Sequence, residues 1–342
     1  MIAFITGANG QDGSYLSEIL LDKGYEVYGL KRRSSTDNMW RLLSCSTNSK
    51  FHLVEGDVSD AFSMSSLINQ IKPTEVYHLA AQSHVATSFA QPKHTLDVNT
   101  LGTLNVLEAC KNASVRPKVY FASTSETFGA NYSYFNLKGE ICHVINKNNE
   151  FLSDFPMFQR EDTPLGPNSP YAVSKVAAAD LCRLYRQGYG MYVACGTLMN
   201  HESPRRGEHF VTRKITKWIG QKLRNPNTPK LELGNLKACR DFGHSRDYCN
   251  AMWLILQQNE PDDFVIATGK AWSVEQFLET AFKLVDMNWQ DNVVINKEFF
   301  RPNEVPYLRG DASKAKAKLG WEPKVSFEKL VEEMVASDIG VI

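Results

Sequence analysis

The chain has 342 residues, of which 43% are hydrophobic and 22% charged, ordinary proportions for a globular protein with a large core or a core plus a smaller lobe. Lys and Arg balance Asp and Glu at 38 each, so no global field draws the protein to nucleic acid or an anionic membrane. Seven cysteines without Cys-x-x-Cys spacing argue against a disulfide framework or a metal cluster, and predict a reducing, cytoplasmic setting with Cys110, Cys182 and Cys195 in the core.

The first element is an apolar strand, Met1–Ile5, with no basic leader before it, and no run of about 18 apolar residues follows anywhere. Neither a signal peptide nor a membrane span is expected. Thr6-Gly7-Ala8-Asn9-Gly10-Gln11-Asp12-Gly13 then spaces its glycines as G-x-x-G-x-x-G before a helix over Gly13–Asp22. Glycines there permit a tight turn and close backbone approach, and a helix N-terminus favours a pyrophosphate. Gly7, Asn9, Gly10, Gln11, Asp12 and Gly13 are therefore candidate dinucleotide contacts.

A second strand, Glu26–Leu30, runs into Lys31-Arg32-Arg33-Ser34-Ser35. An NAD site would place an acid near that strand end, whereas guanidinium and hydroxyl groups suit a 2′-phosphate. Arg32, Arg33, Ser34 and Ser35 thus favour NADP. The third strand, Lys50–Val54, leads to Asp57-Val58, and after a helix over Ser63–Gln70 the fourth, Val76–Leu79, leads to Leu79-Ala80-Ala81-Gln82-Ser83. Each exit reads equally as a cofactor contact and as a tight strand end. A helix over Thr95–Asn112 and a strand over Lys118–Ala122 continue the alternation. The next stretch, Asn131 to Gln159, is aromatic and polar with weak periodicity, and reads as a surface excursion ahead of a lid or an oligomer contact.

A helix over Ser169–Tyr189, with Ser169 as N-cap and Pro170 at its first position, precedes a strand at Val193–Leu198. From Asn200 the pattern loosens around Pro204, Pro226, Pro229, Pro261 and Pro302. The fold class is α/β, a Rossmann-type doubly wound parallel sheet with a smaller C-terminal substrate-binding lobe. Residues 1–199 form the dinucleotide half and 200–342 mainly the lobe, with some segments expected to return to the sheet.

The chemistry concentrates at two places. Tyr171 and Lys175 lie four apart on one helix face, where an ammonium can lower a phenol from about 10 towards neutrality and make it a base for alcohol oxidation. Thr124 and Glu126 lie two apart at a strand end and are expected to point the same way. Thr124 suits a hydrogen bond to the reacting hydroxyl. Glu126 adds a base that a plain dehydrogenase does not need: once a ketone forms, the proton on the adjacent carbon is acidic and its removal permits loss of water.

These motifs resemble the extended short-chain dehydrogenase/reductase family and, within it, the GDP-mannose 4,6-dehydratases. The resemblance runs from Ile2 to about Met334 and rests on Gly10-Gln11-Asp12-Gly13-Ser14-Tyr15-Leu16, Arg32-Arg33-Ser34-Ser35, Ala80-Ala81-Gln82-Ser83-His84-Val85 and Ser123-Thr124-Ser125-Glu126. Asn200-His201-Glu202-Ser203-Pro204-Arg205-Arg206-Gly207, Phe210-Val211-Thr212-Arg213-Lys214, Leu233-Gly234-Asn235-Leu236 and Arg301-Pro302-Asn303-Glu304-Val305 complete it. It implies NADP as cofactor, GDP-mannose as substrate, oxidation at carbon 4, water loss across carbons 5 and 6, and hydride return to carbon 6. It assigns Tyr171, Lys175, Thr124 and Glu126 to catalysis, Ser83 to the sugar, and His201 and Arg206 to the cofactor. Asn200, Val211, Lys214, Gly234, Asn235, Arg240, Arg301 and Glu304 match its nucleotide-sugar positions, with Lys214, Arg240 and Arg301 as cations for the diphosphate.

His209 and His244 are read as structural. The family also implies a homodimer or homotetramer, and the Asn131–Gln159 stretch departs from its pattern. Later NADPH-dependent reduction of the keto product is chemically allowed. The competing readings are another nucleotide-sugar dehydratase, a 4-epimerase, or a non-catalytic NADP-binding regulator. An epimerase has no use for Glu126, and a regulator need not keep all four catalytic groups.

Overall fold

The computed structural model describes residues 1–34, 39–146 and 156–340. The main sheet is built from β1 (Ile2–Thr6), β2 (Glu26–Lys31), β3 (Phe51–Glu55), β4 (Glu75–His78), β5 (Lys118–Thr124), β6 (Val193–Leu198) and β7 (Phe264–Ile266). All pairings are parallel, in the order β7-β6-β5-β4-β1-β2-β3. The order reverses between β1 and β4, so the loops leaving their carboxyl ends diverge and open a crevice there.

The helices used below are α1 (Gln11–Asp22), α2 (Ala61–Ile71), α3 (Gly102–Lys111), α4 (Pro170–Tyr189), α5 (Val211–Arg224), α6 (Ser245–Leu256), α7 (Val274–Lys283) and α8 (Phe327–Ile339). Both faces of a parallel sheet must be covered, which is why its strands read as nearly unbroken apolar runs. Leu16 and Leu20 of α1 pack with Met252 and Ile255 of α6 on one face. Ile68 of α2, Val106 of α3 and Cys182 of α4 fill the other. A third cluster joins Ile215, Trp218, Phe277, Phe327 and Leu330 from α5, α7 and α8. The chain beyond Asn200 therefore crosses back: β7 extends the main sheet beside β6, and α6 covers it.

One expectation is corrected. The stretch expected to be one helix over Thr95–Asn112 is a short helix from Pro92, a π-helical turn at Asp97–Leu101, and then α3. The wider turn carries Asn99 inward, where it is buried. The Asn131–Gln159 stretch, expected as a surface excursion, holds an antiparallel hairpin, Tyr132–Phe135 against Ile141–Val144. Strands of four residues are too short to register as a period. Phe158 exchanges backbone bonds with Ser133, and Gln159 is clamped between Arg309 and Asp311, so the hairpin is tied down at its base. Residues 147–155 of that stretch lie outside the described residues.

Cys110, Cys182 and Cys195 are buried free thiols. Among the described residues no helix is long and apolar enough to cross a membrane, and no group of His, Cys, Asp and Glu could hold a metal ion.

Candidate active site

The crevice above β1 and β4 deepens into a cavity of about 1630 Å³. A site for one small ligand spans roughly 300–1,000 Å³, so this one has room for two. One wall is the glycine turn. Gly7 adopts φ 72, and a Cβ there would meet the Ala80 backbone at 3.0 Å. A Cβ on Gly13 would come within 2.3 Å of the Gly7 carbonyl oxygen, so only glycine lets α1 start this close to β1. No side chain caps α1, and Gly10, Gln11, Asp12 and Gly13 all line the cavity with Gly7 and Asn9. An open helix N-terminus facing a polar cavity fits a dinucleotide pyrophosphate.

Arg32 and Ser34, past the end of β2, line the same cavity, as do Asp57, Val58 and Leu79 through Ser83. Arg33 is exposed and is not part of the lining, and Ser35 lies outside the described residues. The Asp57 carboxylate is turned to its own loop, where it accepts from the Ser59 backbone and hydroxyl.

Sequence reasoning missed what braces this wall. Asn99 donates to the Gln82 carbonyl (3.0 Å) and the Ser174 hydroxyl (2.9 Å), and accepts from the Gln82 amide (2.8 Å). It thereby ties the β4 exit to α4. The same stretch holds Asp97, Thr100, Thr103 and Asn105, so nothing in its pattern singles Asn99 out. Arg205 bonds Ser14 (3.1 Å) and Glu18 (2.6 Å) of α1 and lies over the Tyr15 ring. Arg41 bonds the Arg205 carbonyl (2.7 Å) and lines the cavity. Gln11 donates to the His201 carbonyl and accepts from Ser203.

His201 stands between the Met199 carbonyl at 2.7 Å and the Asp12 carboxylate at 2.9 Å. Burial opposes the charge on its ring, but the Asp12 carboxylate outweighs that and raises its pKa. Burial likewise works against an ionised Asp12, yet the charge and hydrogen bond of His201, with a bond from Ser245, hold it at about 2. Arg206 pairs with Glu202 at 3.1 Å and stacks on Phe210. Both His201 and Arg206 face the cavity.

The candidate reaction groups meet in the middle. Ser169 caps α4 by accepting from the Ala172 amide, and the helix presents Tyr171 and Lys175 one turn apart. Thr124 ends β5, but Glu126 is already in a 3-10 turn, Ser125–Phe128, and is not placed by strand alternation. The Thr124 hydroxyl accepts from the Glu126 amide, so the turn, not the pleat, brings both to the lining.

The expected lowering of Tyr171 by Lys175 is also corrected. Burial pushes the Tyr171 phenol up to about 12, with Thr124 opposing and the Glu126 charge adding to the rise. The Lys175 ammonium instead bonds the Ala122 carbonyl at 2.9 Å and sits over the Phe121 ring, while burial lowers it to about 8.

The far wall holds Asn200, Val211, Lys214, Gly234, Asn235, Arg240, Arg301 and Glu304, all in the lining. The two arginines are engaged with carboxylates. Arg240 reaches Glu304 at 2.7 Å, and Arg301 lies 3.3 Å from Glu126 and 3.7 Å from Glu304. Lys214 donates to the Glu232 carbonyl at 2.7 Å and lies over the Phe299 ring. His209 also lines the cavity, whereas His244 caps α6 and pairs with Glu333.

A family model described as GDP-mannose 4,6 dehydratase matches residues 4–136 and 153–334. The gap between the two matched segments falls within the hairpin stretch. GDP-mannose 4,6 dehydratase 1 of Arabidopsis thaliana is 48% identical over 348 residues, covering 99% of this chain and 90% of the relative. The human GDP-mannose 4,6 dehydratase is 41% identical over 363 residues, covering 99% and 91%. Among solved structures, UDP-glucuronic acid 4-epimerase from Bacillus cereus, in complex with UDP-glucuronic acid and NAD, aligns with a TM-score of 0.83 at 23% identity, over 100% of both chains. DesIV, a dTDP-glucose 4,6-dehydratase from Streptomyces venezuelae with NAD and TYD bound, aligns at 0.82 and 24%, covering 98% and 96%. At those identities the two structures speak for the fold.

Proposed function

This chain belongs to the GDP-mannose 4,6-dehydratase family, and from that premise we propose that it converts GDP-mannose to GDP-4-keto-6-deoxymannose and water, with NADP as the cofactor held between the glycine turn and α4. The observation that carries the reading is the convergence of Glu126 with Thr124, Tyr171 and Lys175 on one cavity. Arg32 and Ser34 at the end of β2, where an NAD site carries an acid, support NADP.

A pyridine nucleotide held by the glycine turn, Arg32 and Ser34 would supply the acceptor and later the donor of one hydride. The chain's own groups move the protons. Thr124 hydrogen-bonds the carbon-4 hydroxyl, and Tyr171 takes its proton as the hydride leaves carbon 4. Lys175, buried behind Tyr171 on the same helix face, is held by the Ala122 carbonyl and keeps α4 against the end of β5. Glu126 then removes the proton from carbon 5, acidified by the new ketone, and passes it to the departing carbon-6 hydroxyl, which leaves as water. Hydride returns to carbon 6, and the proton held by Tyr171 returns to carbon 5. Net change is one water lost, with no reductant consumed.

The test is direct. Purified protein given GDP-mannose should yield a product lighter by one water without added reductant, and deuterium placed on carbon 4 should reappear on carbon 6. Escape of that label to solvent would sink the internal hydride return. The oligomer reading, homodimer or homotetramer, is checked by scattering mass in solution.

A further inference from the structure

Apart from Lys214, whose ammonium bonds the Glu232 carbonyl, the cations of the nucleotide-sugar wall are already paired with carboxylates. Arg240 and Arg301 contribute two cations, and Glu304 and Glu126 two anions, joined as Arg240–Glu304, Arg301–Glu304 and Arg301–Glu126 at 2.7, 3.7 and 3.3 Å. The four groups sum to zero. Arg240 is buried at 7% side-chain exposure and Glu126 at 12%, while Arg301 and Glu304 keep 31% and 24%, so these pairs are only partly shielded from solvent. A diphosphate that docks here must take guanidinium groups that the two carboxylates already hold.

Arg301 is the group placed to be shared. It is the more open of the two arginines, at 31% exposure, and lies on the chain entering the short turn Pro302-Asn303-Glu304. Its Nη1 is the atom within reach of both carboxylates. A guanidinium that turns towards a diphosphate gains charge-assisted bonds to replace those it leaves.

We propose that Glu126 and the substrate's diphosphate compete for Arg301, so that seating the diphosphate draws Arg301 off Glu126 and releases that carboxylate to act as the elimination base. This deepens the dehydratase reading and rests on it. Arg301 is then a positioning residue that couples occupation of the nucleotide end to the chemistry at the sugar end. A bound nucleotide sugar thus assembles its own base, while a sugar without diphosphate leaves Glu126 paired.

The competition is measurable without turnover. GDP, which carries the diphosphate but no sugar, is titrated calorimetrically into the full-length NADP-loaded protein. With Glu126→Gln the competitor for Arg301 is neutralised, and GDP should bind tighter by about fivefold, the size of an ordinary part-exposed ion pair. In an Arg301→Gln background the same Glu126→Gln change should leave GDP affinity unaltered. Equal tightening in both backgrounds would show simple repulsion between Glu126 and the diphosphate and overturn the proposal. So would no tightening, or weaker binding, in the Glu126→Gln protein. Failure of GDP to bind the unsubstituted protein at all would instead strike at the substrate reading itself.

Discussion

The two walls of the cavity are built in opposite ways. On the cofactor side, charged and polar groups are spent on scaffolding: Arg205 on Ser14 and Glu18, Asp12 on His201 and Ser245, Gln11 on His201 and Ser203. These bonds bolt the Asn200–Gly207 segment to α1, so the glycine turn is held in one geometry. On the nucleotide-sugar side, Arg240 of the strand Cys239–His244 and Arg301 pair with Glu304, and Arg301 also with Glu126, rather than with the scaffold. One wall is preorganised, and the other holds its arginines in internal ion pairs. Binding at the first costs little reorganisation, while binding at the second requires partners to be exchanged.

The largest expected effect lies between the walls. Tyr171→Phe should lower turnover by about 10³-fold, the scale of a lost general base, while NADP affinity is kept. Retained turnover would remove Tyr171 from the oxidation step. The contrast itself is tested by truncating one arginine on each side. Arg205→Ala should cost about 2 kcal/mol of folding stability, because it strips bonds from Glu18 and Ser14 and exposes Tyr15. Arg301→Ala should change stability by no more than about 0.5 kcal/mol yet raise the KM for GDP-mannose about tenfold. Denaturant melts paired with kinetics would break the comparison if both variants lost stability equally.

The smallest effect is a pH signature of the bolted wall. Asp12 is held at about 2, below its ordinary 3.8, so its contribution is present above pH 4 and lost as pH falls through about 2. The size is about 2 kcal/mol. The stability gap between the unsubstituted protein and Asp12→Asn should therefore be full near pH 5 and shrink towards pH 2. A gap that stays constant over that range would mean Asp12 does not ionise in the way its bonds to His201 and Ser245 require.

Local pattern carried most of the sheet. β1 to β6 are short runs rich in apolar residues, and the G-x-x-G-x-x-G spacing sits between β1 and α1 because only glycine fits there. The hairpin at Tyr132–Val144 escaped notice because four-residue strands hold too few turns of the period. The π turn at Asp97–Leu101 has no pattern of its own, since one extra residue in a helical turn leaves the composition unchanged. Arg41 and Arg205 act as braces through partners far away in the chain, which no local pattern signals.

By itself the sequence determined the alternation that makes a parallel sheet, the glycine turn, the basic exit of β2 and the residue types for an oxidation coupled to an elimination. Each of those is a short-range property, set by the spacing of side chains along a few residues. The tertiary structure decided where the charges go. It placed Glu126 by a 3-10 turn rather than a strand, sent Lys175 to the Ala122 carbonyl rather than to the phenol, raised Tyr171 by burial, and set Arg301 between two carboxylates. Charge depends on through-space distance and on exclusion of water, and neither is written in the order of residues along the chain.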